Sequence, residues 1–84
     1  MGSTPIEIVA DCIRESSPLG EAATFELDTH LARTGIIDSL AILSITASLE
    51  KRLGLKIPDD LIQPQNFTSL RTLVELVDGL PRLT

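Results

Sequence analysis

Tryptophan and tyrosine are absent from this chain, and Phe25 and Phe67 are its only aromatic residues. The core must therefore be built from Leu, Ile and Val, with few ring faces on which bases or sugars can stack. A single cysteine, Cys12, excludes an internal disulfide and a cysteine-based metal site, and reads as a small buried hydrophobe. The single histidine, His30, has no cluster of other ligand types around it, so no metal is expected and the ring reads as a solvated loop residue. Long apolar runs are missing as well. Glu7 and Asp11 break the first apolar stretch, which excludes a signal-peptide core and a membrane span there. Ile6 stands where an N-myristoylation pattern requires Ser or Thr. These absences point to a reduced, cytoplasmic setting. Positive charge is also scarce: 7 Lys and Arg against 12 Asp and Glu leave a net charge of -5 and a pI near 4.6. That balance argues against nucleic acid and anionic membranes, and for partners with basic docking surfaces.

What is present is helical. The 84 residues allow one domain over 1–84, with residues 1–4 and 80–84 expected as flexible ends. A chain of this size buries only about 60% of its unfolded surface, so its stability is expected to be modest. The first helix is expected over residues 5–15, with Thr4 as cap and proline at the first position. Ile6, Val9, Ala10, Cys12 and Ile13 share its inward face. A long connection over residues 17–37 follows, with Leu27, Leu31, Ile36 and Ile37 as anchors and a short helical turn expected after Asp28. The second helix is expected over residues 39–53, with Leu43, Ile45, Leu49 and Leu53 inward and Gly54 as its stop. Pro64 leaves room for about one helical turn between Asp59 and Phe67, with Asp59 and Asp60 as possible caps. A last helix begins after Thr68 and ends at Gly79, with Leu70, Leu73, Val74 and Val77 inward. No strand-like alternation or repeat is present. The fold class is all-α: a small bundle of three main helices and one short one, with a long first loop.

The segment Gly35-Ile36-Ile37-Asp38-Ser39-Leu40, immediately before the second helix, carries the chemistry. Asp38 is the natural N-cap, since its carboxylate can accept from the free N–H groups of the first turn. Ile37 and Ile42 then have the spacing of a hydrophobic staple. Ser39 becomes the first helical residue, with a hydroxyl not needed for capping, at the positive end of the helix dipole. A phosphodiester is well placed there. A triad nucleophile is not indicated, because the glycines of a nucleophile elbow are missing around Ser39 and His30 has no evident orienting partner. On Asp38-Ser39 alone, plain capping chemistry explains the pair as well.

Asp38-Ser39-Leu40, the helix running on through Leu49-Glu50, and the downstream Ile57-Pro58-Asp59 resemble the acyl and peptidyl carrier proteins. The resemblance extends from residue 6 to about residue 77. It implies an acyl-carrier-like bundle whose Ser39 is esterified with 4′-phosphopantetheine from coenzyme A. The implied modifying partner is a phosphopantetheinyl transferase, which supplies Mg²⁺ and basic groups. Asp38 would then both cap the helix and offer a charge to that transferase. The implied protein is not an enzyme but a monomeric carrier of acyl or aminoacyl thioesters. An acyl- or aminoacyl-activating ligase loads it, and a downstream acyltransferase or synthase unloads it.

In one respect the chain departs from the fatty-acid-synthesis carriers, whose second helix is rich in acid. Between Ser39 and Leu49 this sequence has no charge. Leu40, Ala41, Ser44 and Ala47, with Ser48 nearby, are read as the docking face, Leu40 standing equally well as a peripheral core residue. An apolar face of this kind favours a free-standing carrier of the aminoacyl, D-alanyl or secondary-metabolite type. A fatty-acid-synthesis carrier is the alternative within the family. An unmodified helical interaction module is the alternative outside it.

Overall fold

The computed structural model describes residues 4–81. The expected flexible ends lie partly outside them, at 1–3 and 82–84; within them, Thr4 caps a helix and Leu80 packs against the core. Among the described residues three helices make the fold: α1 (Pro5–Ser16), α2 (Ser39–Leu53) and α3 (Leu70–Asp78). No strand occurs among the described residues. α1 packs along both other helices, and a 3-10 turn, Pro64–Phe67, contacts both α2 and α3.

Each helix end has its local cause. The Thr4 hydroxyl accepts from the Glu7 N–H at 3.2 Å, and Pro5 follows at the first helical position, where its missing N–H costs nothing. α2 ends at Gly54, whose φ of 63° is a left-handed conformation that a β-carbon disfavours. α3 opens with a reciprocal capping box between Ser69 and Thr72. The core is aliphatic around one ring: Val9, Ile13, Ile45, Leu49 and Leu73 are fully buried, and Phe67 is 1% exposed.

Four expectations are corrected. Ile6 is 46% exposed in the first turn of α1, and Ile8 packs against the core in its place. Leu43 is 61% exposed and does not belong to the inward stripe of α2. In place of one short helix there are three 3-10 turns, Gly20–Ala22, Asp59–Leu61 and Pro64–Phe67. Asp59 and Asp60 sit inside the second of these, which has no side-chain cap.

The long connection is tied down by hydrogen bonds as well as by its apolar anchors. Leu31 N–H donates to Thr68 O at 2.8 Å, and Arg71 N–H to Leu27 O at 3.0 Å. The Arg71 guanidinium grips the Asp28 carboxylate with both arms, at 2.6 and 3.1 Å. That bond holds the Asp28 carboxyl below its ordinary range. After Asp28 the chain makes one short helical turn, as expected, with Thr34 N–H on His30 O in the i to i−4 pattern and Gly35 N–H on Ala32 O, and it does not extend into a helix. Gly35, at φ 78°, then reverses the chain so that Ile36 and Ile37 both donate to Leu31 O and bury their side chains. The connection that carries the start of α2 is therefore anchored on α3.

Candidate functional site

Buried Ile37 brings the chain to Asp38, which is extended (φ −132°, ψ −172°). Its carboxylate accepts from Ala41 N–H at 2.8 Å, and its carbonyl accepts from Ile42 N–H at 3.1 Å, starting α2. Ser39 is the first residue of the helix and is exposed. The cap leaves its hydroxyl free. The N–H groups of Ser39 and Leu40 precede any intrahelical acceptor, so the helix end is polarised towards an anion at this point. A phosphodiester on Ser39 fits these residues in exposure, in dipole direction and in freedom from clash with the core.

The four expected docking residues do not stay together. Leu40 is 76% exposed, and Ser44 and Ala47 are exposed, but Ala41 is 3% exposed and is withdrawn from the docking face. Ala41 heads the row Ala41, Ile45, Leu49 and Leu53, spaced by four residues and buried in the core. Leu43 takes its place outside. Leu40, Leu43, Ser44 and Ala47 then stand at i, i+3, i+4 and i+7, the spacing of one helix face. That spacing was present in the sequence and was the signal for Leu43.

Beside the start of α2 lies an open cavity of about 250 Å³, which the sequence reading did not anticipate. Its lining includes Ile37 and Ile42, Pro64, Phe67 and Thr68, and His30. The Ile37–Ile42 staple pair was its only sequence signal. His30 is half-buried, and its Nδ1 accepts from Arg33 N–H at 3.1 Å. Cys12 is wholly buried, and burial pushes its thiol pKa up, against the smaller opposing pull of Arg52. No cluster of metal-ligating side chains occurs among the described residues, and none of their helices is long and apolar enough to cross a membrane.

The family model described as phosphopantetheine attachment site matches residues 7–78, nearly the whole described chain. No curated protein matches. Proteins of that family hold 4′-phosphopantetheine covalently. Its carrier domains are in general non-catalytic, and work with phosphopantetheinyl transferases and acyl-activating enzymes.

Proposed function

This chain belongs to the phosphopantetheine attachment-site family, and we propose that Ser39 is its attachment point and that it carries acyl or aminoacyl groups in a specialised pathway. The observation that carries the assignment is the exposed Ser39 at the first position of α2, with its capping duty taken by Asp38 at 2.8 Å from Ala41 N. Ser39 Oγ attacks the β-phosphorus of coenzyme A, and a P–O bond to serine forms as the pyrophosphate P–O bond breaks. Adenosine 3′,5′-bisphosphate leaves, and the serine proton passes to a base of the transferase. Asp38 holds the helix end in place and presents a charge to that transferase. The arm's terminal thiol supplies a thioester linkage, and tethering raises the cargo's concentration at each partner's active site.

The specialised pathway is inferred from the second helix. Its outward face, Leu40, Leu43, Ser44 and Ala47, is apolar or neutral, where an electrostatic partner needs acids. Such a face suits an apolar groove on a dedicated acyl- or aminoacyl-activating ligase, and on a downstream acyltransferase or synthase. We take the carrier to act as one cytoplasmic domain and as a monomer. Intact mass and peptide mapping test the attachment, after incubation with coenzyme A, Mg²⁺ and a broad-specificity phosphopantetheinyl transferase. One phosphopantetheine on the Ser39 peptide is expected. An unchanged mass would leave an unmodified interaction module as the better description.

A further inference from the structure

α2 carries three charged residues, Glu50, Lys51 and Arg52, all at its C-terminal end. Two of them are used inside the fold. Glu50 is half-buried, its carboxylate accepts from Ile57 N–H at 2.8 Å, and Lys56 Nζ lies 3.7 Å from it. The Arg52 guanidinium pairs with Glu15 near the end of α1. Lys51 is exposed and makes no ion pair among the described residues.

Its direction is outward, along the face already described. At about 100° per residue, Lys51 projects about 20° from Leu40 and between Ser44 and Ala47, whereas Glu50 and Arg52 fall about 80° and 120° from Leu40. The row Leu40, Ser44 and Ala47 therefore ends in a single positive charge. At the other end of α2 the exposed Asp38 carries a negative one. Lys51 stands roughly 18 Å along the axis from Ser39, more than two screening lengths of about 8 Å, too far to hold a phosphate there. A cation in the last turn also complements the helix dipole. That role sets no direction around the axis, and Arg52 fills it as well.

Resting on docking through this face, we propose that Lys51 is a specificity-determining residue: an acidic side chain of the activating ligase pairs with it and fixes the direction in which α2 lies in the ligase's groove. A neutral face alone does little to distinguish one direction along the helix from the reverse. With Asp38 at one end and Lys51 at the other, reversed docking sets like charges against each other. The acidity of the whole chain steers the approach, and Lys51 sets the final register.

The probe is the ligase purified from the native host by its loading of the holo protein. KM and kcat are measured for holo variants whose single arm is checked by intact mass. Lys51→Gln is expected to raise KM about 2- to 5-fold, the range of one exposed ion pair, with kcat and melting temperature near native. Lys51→Glu is expected to raise it further, and Lys51→Arg to restore it. Lys56→Gln, which removes a cation off this face, is expected to keep the native KM. Added salt is expected to raise the native KM modestly and to leave that of Lys51→Gln unchanged. One KM for the native protein, Lys51→Gln and Lys51→Glu, where Leu40→Ala raises it, would overturn the proposal and leave the docking face standing. A lower KM for Lys51→Gln would overturn it as well, by placing a basic group opposite. So would an effect confined to kcat or matched by lost helical signal. If Leu40→Ala and Leu43→Ala also keep the native KM, the docking face itself falls, and the proposal with it.

Discussion

Leu40 and Ala41 are adjacent in sequence and stand on different faces of α2: Leu40 is 76% exposed and Ala41 3%. The exposed side continues through Leu43 at 61% and the exposed Ser44 and Ala47. Leu40→Ala and Leu43→Ala are therefore expected to leave the melting temperature nearly unchanged and to slow loading by the cognate ligase. Ser44→Glu with Ala47→Glu is expected to improve use by fatty-acid-synthesis enzymes and to harm that ligase. Ala41→Glu does not belong in this test, because it would bury a charge in the core. Docking through the native face is expected to respond weakly to salt, since remote carboxylates are screened over about 8 Å at physiological ionic strength. Efficient malonyl loading and elongation by the native sequence, with no gain from the added acids, would make it an ordinary fatty-acid carrier.

Ser39→Ala is expected to abolish modification and keep the fold. Asp38, not Ser39, caps α2, so the cost is at most about 1 kcal/mol. Mass spectrometry reads the first outcome and thermal melting the second. A large loss of helical signal would mean that Ser39 is structural.

At Asp38 the two roles separate chemically. Asp38→Ala removes the bond to Ala41 N–H and is expected to cost about 0.5–2 kcal/mol. Asp38→Asn retains a capping oxygen but removes the charge, so it is expected to melt near the native temperature while the transferase modifies it more slowly. Equal modification rates for Asp38→Asn and the native protein would remove the charge from the account.

Leu49→Ala is expected to cost roughly 2–5 kcal/mol, since the side chain is wholly buried on the face of α2 that meets the core. In a domain this small that is much of the total stability. Denaturant unfolding measures it, and a midpoint close to native would contradict the burial.

Cys12 yields a pH dependence. Burial raises the thiol above its ordinary value of 9.0, so the fold prefers the neutral form. The corresponding stability is fully present below 9.0 and is lost as the pH rises through the folded value. Melting curves from pH 7 to 10 are expected to fall more steeply for the native protein than for Cys12→Ala. Alkylation of the native thiol is expected to be slow until the protein unfolds. Labelling at the rate of a free thiol would show the site to be open.

The helix boundaries, the caps at Thr4, Asp38 and Gly54, and the free hydroxyl of Ser39 were legible in the sequence because each depends on neighbours within about one turn. The Ser69–Thr72 box is equally local, although it was not read in advance. The rotation of α2 was legible only in part: Ile45, Leu49 and Leu53 are inward as expected, but Leu43 and Ala41 are exchanged. Between Ser39 and Leu49 no charge marks an outside, and two apolar rows, one through Ala41 and Ile45 and one through Leu40 and Leu43, compete for the core. Packing of α2 against α1 and the Pro64–Phe67 turn chose the first. The cavity was hidden for a related reason. Its lining comes from segments at least 22 residues apart in the chain (Ile42 to Pro64), which the Leu31 bond to Thr68 and the Arg71 grip on Asp28 help hold together. Capping is decided by the residues at one end of one helix, whereas the outward face of α2 and the space beside Ser39 depend on which surfaces the other elements cover.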